Sequence, residues 1–429
     1  MIELLSLIVS YYNRKKEMYK LEKKDKTFIT HLFLTTFLGG VIGILNYAFN
    51  IMIARYTSQE IFGTFSAALG IIYLTQISAV AIQSLITKTV AKNKENDLTK
   101  YKWNSIVIFS IIGFAFSLIF FLFKIPISQL ASIPQDLIFY LAIAIIFAFI
   151  SPVLKGILLG REKVVTVNLL LLGETILKFI IGIIAIKMDG NIPLLILANS
   201  IPPILTTIIV IPLLKSKKKK DILIKNDWKE FILMIIAFFF LTAPFTIDLV
   251  LVNSSFRAEY SSLSLLGKVI YFACVTTSAV MFARLANERE QKNQKKSLFL
   301  AIGLSTLIGL FLSLIYFILG KRVITLSVGE EYLNINKYMG LFGLCMTGYS
   351  IVYMIANYFI TKGIYSYILV LLSASILQIV LFNLRNYSLD IVVQNQIILY
   401  TTLTLLTIVF LLFNFNSLKK DGNNKREVK

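Results

Sequence analysis

Two cysteines, one histidine, two tryptophans and a charged fraction of 15% in 429 residues leave this chain poor in chemistry-bearing side chains. Cys274 and Cys345 both fall inside apolar runs, so no disulfide framework is expected. A lone histidine, His31, can supply neither a metal site nor a catalytic triad. No G-x-x-x-x-G-K-[ST] run is present, so no nucleotide-phosphate cradle is expected. Acidic residues are scarce as well, 23 against 43 Lys and Arg, which gives a formal net charge of +20. A soluble chain would carry roughly a quarter charged residues. Nothing in this inventory calls for a cofactor or a catalytic residue.

What fills the chain is hydrophobic residues, 57% of the total. They gather in twelve continuous runs, at about 28–54, 62–86, 104–123, 137–156, 164–187, 193–214, 231–253, 262–283, 298–320, 336–360, 365–384 and 394–416. Each is long enough for a membrane crossing, which needs roughly 20 mostly apolar residues. Hydrocarbon leaves no partner for an unpaired backbone group, so such runs are helices or a closed barrel. Barrel strands alternate over about ten residues. These runs are continuous and about twice that length, which predicts an all-α integral membrane protein.

Orientation follows from the basic residues, since the side richer in Lys and Arg stays in the cytoplasm. With the N-terminus inside, 33 of the 43 fall on that side, eight outside and two, Lys178 and Lys268, within spans. Both termini are therefore expected in the cytoplasm of a cell-membrane protein. The net charge is explained by this belt, which meets anionic headgroups of membrane lipids. Nucleic-acid binding is a poor reading for want of a soluble domain: Lys217-Lys218-Lys219-Lys220 lies in a loop between spans. Met1 to Ser10 is mostly apolar but precedes the basic cluster, the reverse of a signal peptide. An interfacial helix is expected there.

The long basic loop 215–230 divides the chain into halves 28–214 and 231–416, flanked by a basic segment 1–27 and a tail 417–429. The halves resemble each other at an offset of 198. Asn46 to Ala54, then Phe62-Gly63-Thr64-Phe65 and Tyr73, overlays Pro244 to Val252, then Tyr260-Ser261-Ser262-Leu263 and Tyr271. Six spans per half give both the same orientation, so the repeats are parallel. Two parallel six-helix bundles facing each other across a central cavity are the expected architecture.

Ionisable groups inside spans are costly and mark a partner, a cavity or a pathway. Four lie away from span edges: Glu174, Lys178, Asp248 and Lys268. Glu174 and Lys178 share a helix face at i,i+4, in the favourable order for a pair. They read either as a self-neutralised pair or as a polar cavity wall whose Lys178 attracts an anion. Asp248 and Lys268 lie at similar depth on neighbouring spans. They read as an ion pair across the hairpin, or as a protonatable coupling group and an anion contact. Arg55 ends the first span and reads as an interface anchor or a substrate contact. Gln76, with Gln83 and Asn46, adds hydrogen-bonding capacity, with helix–helix adhesion as its default role. Pro152, Pro202, Pro203, Pro212 and Pro244 lie in or at spans, where proline kinks a helix.

Particular stretches resemble the polysaccharide flippases of the multidrug/oligosaccharidyl-lipid/polysaccharide exporter superfamily. They are Gly39-Gly40, Ile53-Ala54-Arg55-Tyr56-Thr57-Ser58 and Glu60-Ile61-Phe62-Gly63, with Asp248-Leu249-Val250-Leu251, Ala258-Glu259-Tyr260-Ser261 and Leu266-Gly267-Lys268 in the second half. The resemblance implies movement of a polyprenyl-diphosphate-linked oligosaccharide between leaflets. It implies Lys178, Lys268, Arg55 and Gln76 as candidate substrate contacts, and Asp248 and Glu174 as candidates for coupling to protons or sodium. The chain departs from many relatives after Ala283-Arg284-Leu285-Ala286, where a proline is absent. Relatives that flip peptidoglycan precursor commonly have fourteen spans rather than twelve. A cation-coupled drug or metabolite exporter of the same superfamily is the alternative, but such relatives place a carboxylate in the first span and 28–54 has none. A membrane glycosyltransferase or polymerase would show acidic residues on a sizeable outer loop; Glu330-Glu331 on a short loop is the one outer acidic pair.

Overall fold

The computed structural model describes residues 34–93 except 36, 98–213, 228–287 and 291–424, which form helices and turns with no strand among them. The basic segment 1–27 with its expected interfacial helix, His31, most of the loop 215–230 and the end of the tail 417–429 lie outside the described residues. In chain order the helices are α1 Phe37–Tyr56, α2 Gln59–Lys92, α3 Thr99–Leu122, α4 Lys124–Ala131 and α5 Leu137–Gly160. Next come α6 Val164–Lys187, α7 Ile192–Leu197, α8 Ile201–Leu213, α9 Trp228–Thr246 and α10 Asp248–Leu251. The last five are α11 Arg257–Asn287, α12 Gln291–Leu326, α13 Asn336–Thr361, α14 Ile368–Leu384 and α15 Leu389–Asn424. Among the described residues ten helical stretches are long and apolar enough to cross a membrane; α9 contributes a shorter one, Phe231–Thr246. The chain is thus an all-helical, multi-pass membrane protein.

Two expected spans are interrupted. The run 193–214 splits into α7 and α8 at a turn over 198–200, because Pro202 and Pro203 cannot donate to the preceding turn and disfavour helical backbone before them. The run 231–253 splits at Ile247, three residues after Pro244. There the Asp248 carboxylate accepts from the Leu249 amide at 2.9 Å, a local bond that competes with the helix ladder. Helix starts are capped where the sequence offers a short polar side chain. The Ser58 hydroxyl accepts from Ile61 N at the start of α2, and the Asn191 amide from Leu194 N at the start of α7.

Small residues set the closest helix contacts. On α5, Gly156 and Gly160 lie one turn apart against α2, where a Cβ on Gly160 would stand 2.6 Å from Val90 Cβ. The Thr87 hydroxyl crosses this contact to the Gly156 carbonyl at 3.2 Å. This is the small-x-x-x-small mode of membrane helix packing. Gly70 on α2 likewise admits the backbone of Thr246 and the side chains of Leu249 and Val250.

The helices nearest the centre are α2, α5 and α13: 61%, 61% and 72% of their apolar windows are buried, against 28% for α1, α3, α6 and α12. Three pairs of helix starts recur at nearly constant spacing, while α3 and α12 begin 192 residues apart and α6 and α14 204. α2 and α11 begin 198 residues apart, α5 and α13 199, α7 and α15 197. Packing recurs too, since α5 rests on α2 and α3 as α13 rests on α11 and α12. The segments after α1, α4, α10, α12 and α14 meet on one face, here the distal face, through the hydrogen bonds of Arg55 and Gln59 to Leu326 and Glu331, of Arg257 to Ser132 and of Asn386 to Leu251, and Gly190 after α6 packs there against Thr57 and Ile61.

Candidate functional site

The charges within apolar runs form two groups, one among α1, α5, α6 and α8 and one around the junction of α9, α10 and α11. In the first, Lys155 Nζ of α5 lies 2.7 Å from Glu174 Oε2 of α6, and the Thr206 hydroxyl of α8 donates to Glu174 Oε1. Both carboxylate oxygens are thereby satisfied from neighbouring helices. Glu174 is therefore not paired with Lys178, although the two share a helix face. Lys178 turns toward α1, where its ammonium donates to Asn46 Oδ1 at 3.1 Å and lies 4.4 Å from the centre of the Phe49 ring. Asn46 is held in turn by the Ile42 carbonyl and the Thr175 hydroxyl. No carboxylate lies within ion-pair distance of Lys178 among the described residues.

The second group surrounds the break in α9. Asp248 is fully buried and its Oδ2 accepts from the Tyr260 hydroxyl at 2.7 Å. The expected Asp248–Lys268 contact is not formed: Lys268, also buried, lies over the Phe245 ring at 4.5 Å, near enough to interact electrostatically with Asp248. The aromatic face attracts the ammonium through the ring quadrupole. The Pro244 carbonyl, exposed by the break, accepts from Gln378 Nε2 at 3.2 Å, Gln396 Nε2 at 2.9 Å and the Tyr400 hydroxyl at 3.2 Å. Phe245 stacks on Tyr349 at 5.3 Å and meets Tyr271 at 4.5 Å, so the group is walled by aromatic rings. Gln378 Oε1 is buried with no hydrogen-bond partner. The described residues hold no cluster of three His, Cys, Asp or Glu suited to a metal ion.

Arg55 and Gln76 belong to neither group. Arg55 lies nine residues beyond Asn46, about 13 Å farther along α1, and its guanidinium bonds the last carbonyls of α12. Gln76 is exposed on α2. A search of the sequence for charges alone passes over Tyr260, Gln378 and Gln396. Their signal is a polar side chain embedded in an otherwise apolar run, as Gln378 is in α14. Lys155 carries the same signal near the end of α5.

No protein-family profile matches the sequence, and neither does any curated protein. Solved structures do match. Lipid II flippase MurJ, in an inward closed conformation, superposes with a TM-score of 0.70 over 88% of this chain and 87% of that one, at 18% identity. A multidrug resistance MATE family transporter of the MOP superfamily, inward-facing, gives 0.66 over 88% and 96% at 15% identity. The eukaryotic MATE transporter AtDTX14 gives 0.62 over 90% and 96% at 12% identity. The chain thus has the fold shared by MurJ and the MATE transporters.

Proposed function

We propose that this chain is a transporter, not an enzyme, that flips a polyprenyl-diphosphate-linked oligosaccharide from the inner to the outer leaflet by alternating access, for surface polysaccharide synthesis. It would cross the cell membrane twelve times, with both termini cytoplasmic. The halves 28–214 and 231–416 would be two parallel six-helix bundles around a central cavity. The near-constant repeat spacing and the bias of basic residues support that arrangement.

The observation that carries the substrate assignment is the state of the two lysines. Lys178 and Lys268 are held over aromatic rings, and neither makes a direct ion pair with a carboxylate. Keeping a cation in a membrane interior is costly, and a diphosphate passing between the halves would supply the missing counter-charge. Of the two carboxylates, Asp248 is the one we assign to proton or sodium coupling. It lacks a direct ion pair, and the group around Pro244 offers the unpaired Gln378 Oε1 as a further acceptor. Glu174 is neutralised by Lys155 and fits a structural brace.

The test is complementation of a strain lacking its own flippase. Lys178→Ala and Lys268→Ala should insert normally and lose export of surface polysaccharide by tenfold or more, the order of one lost charge-assisted contact. Asp248→Asn should remove any sensitivity of export to proton or sodium ionophores. Normal export from both lysine variants would withdraw the diphosphate assignment. The cation-coupled small-molecule exporter is favoured instead if the intact protein confers drug efflux and restores no polysaccharide.

A further inference from the structure

The distal face is fastened by the same contact made twice. Gln59, the first residue of α2, donates through Nε2 to the Glu331 carbonyl at 3.4 Å, in the turn before α13. Arg257, the first residue of α11, donates through Nη1 to the Ser132 carbonyl at 3.3 Å, in the loop before α5. Donors 59 and 257 are 198 positions apart, and acceptors 132 and 331 are 199 apart. Each half therefore reaches from an equivalent helix start into the equivalent loop of the other half.

The chemistry of the two arms makes them fasteners. Arg257 is 1% exposed, and its Nε and Nη2 grip the Val252 carbonyl at 3.0 and 2.7 Å. Its acceptor loop is shaped to present a carbonyl, because Ser132 ends α4 in the left-handed region at φ 47°. A third bond lies beside the Gln59 arm. Arg55 Nη1 donates to the Leu326 carbonyl at 2.7 Å, with Thr325 and Ser327 at 3.4 and 3.3 Å. The last carbonyls of a helix lack internal partners and carry its negative pole, so a guanidinium there is held by both effects. Every acceptor is main chain, so the fastening depends on the donor side chains and not on the residues they bind.

We propose that Arg55, Gln59 and Arg257 form a two-armed latch that holds the distal face shut, and that outward opening requires all three to let go. The mechanism rests on the alternating-access reading above and adds to it the parts that set the balance between states. Donors drawn from both halves place the two arms under one control. Releasing either arm favours the same opened arrangement, so the loss of one is felt at the other.

The test measures opening directly. Val252, fully buried beside the Arg257 arm, becomes the reporter as Val252→Cys in a Cys274→Ser, Cys345→Ser background. Purified protein in lipid nanodiscs is reacted with a water-soluble maleimide. Arg55→Ala is the informative change because Arg55 is exposed and tied to the opposite arm, so its loss leaves the packing around 252 untouched. The labelling rate should rise about fivefold or more, the scale of one lost charge-assisted hydrogen bond, and Gln59→Leu should add to it. A rate unchanged by Arg55→Ala and by Gln59→Leu overturns the latch. Labelling needs no substrate, so it separates the two claims. Faster labelling with no polysaccharide complementation leaves the latch standing without the flippase; unchanged labelling with full complementation does the reverse.

Discussion

Removing the Glu174 carboxylate leaves the Lys155 ammonium among apolar helices with no counter-charge, which makes this pair the clearest structural liability at the residue scale. Breaking a largely buried ion pair from one side costs about 3 kcal/mol. Glu174→Gln should therefore lower the thermal midpoint of the purified protein, while Lys155→Met with Glu174→Leu should recover most of the loss. A midpoint unchanged by Glu174→Gln would show that the pair carries no stability. Lys178→Ala should behave oppositely, with little change in midpoint and loss of transport. The contrast marks how far the sequence could be read here. Spacing at i,i+4 correctly places Glu174 and Lys178 on one side of α6. It cannot say that the carboxylate turns to α5 and α8 while the ammonium turns to α1, because those neighbours arrive through tertiary packing. Asp248 shows the same limit: Tyr260, twelve residues on, takes the place expected of Lys268.

At the scale of elements, glycine positions separate packing from propensity. Gly160→Ala drives a methyl into Val90 and the Thr87 carbonyl and should destabilise by about 1–3 kcal/mol. Gly173→Ala, one helix later, meets nothing within 4 Å and should be neutral or stabilising by up to about 1 kcal/mol. Thermal melts of the two variants in the same detergent check the pair; equal shifts would contradict the α2–α5 contact described here. Helix existence is written plainly in the apolar runs, since a chain in hydrocarbon has few other choices. Helix interruption is less legible. Pro152 lies within an unbroken α5, whereas the run holding Pro244 parts three residues later. The difference lies in the surroundings: Gln378, Gln396 and Tyr400 stand ready to take the carbonyl near that break.

For the whole molecule, the proposed repeat links the sequence to the proposed mechanism. The faint likeness at an offset of 198 is matched by three pairs of helix starts, by the like packing of α5 and α13 and by the distal arms. The all-helical, multi-pass architecture is legible because apolar runs are spread along the entire chain. The site is less legible because it depends on which few polar groups converge from distant segments. The proposed anionic headgroup rests on two lysines held over aromatic rings without a direct ion pair. The central claim is tested most directly by export of a lipid-linked oligosaccharide in a flippase-deficient strain, with and without this protein. The account predicts restored surface polysaccharide that is lost in the Lys178→Ala and Lys268→Ala variants. Absence of restoration by a well-inserted protein, across several sugar types, would contradict it.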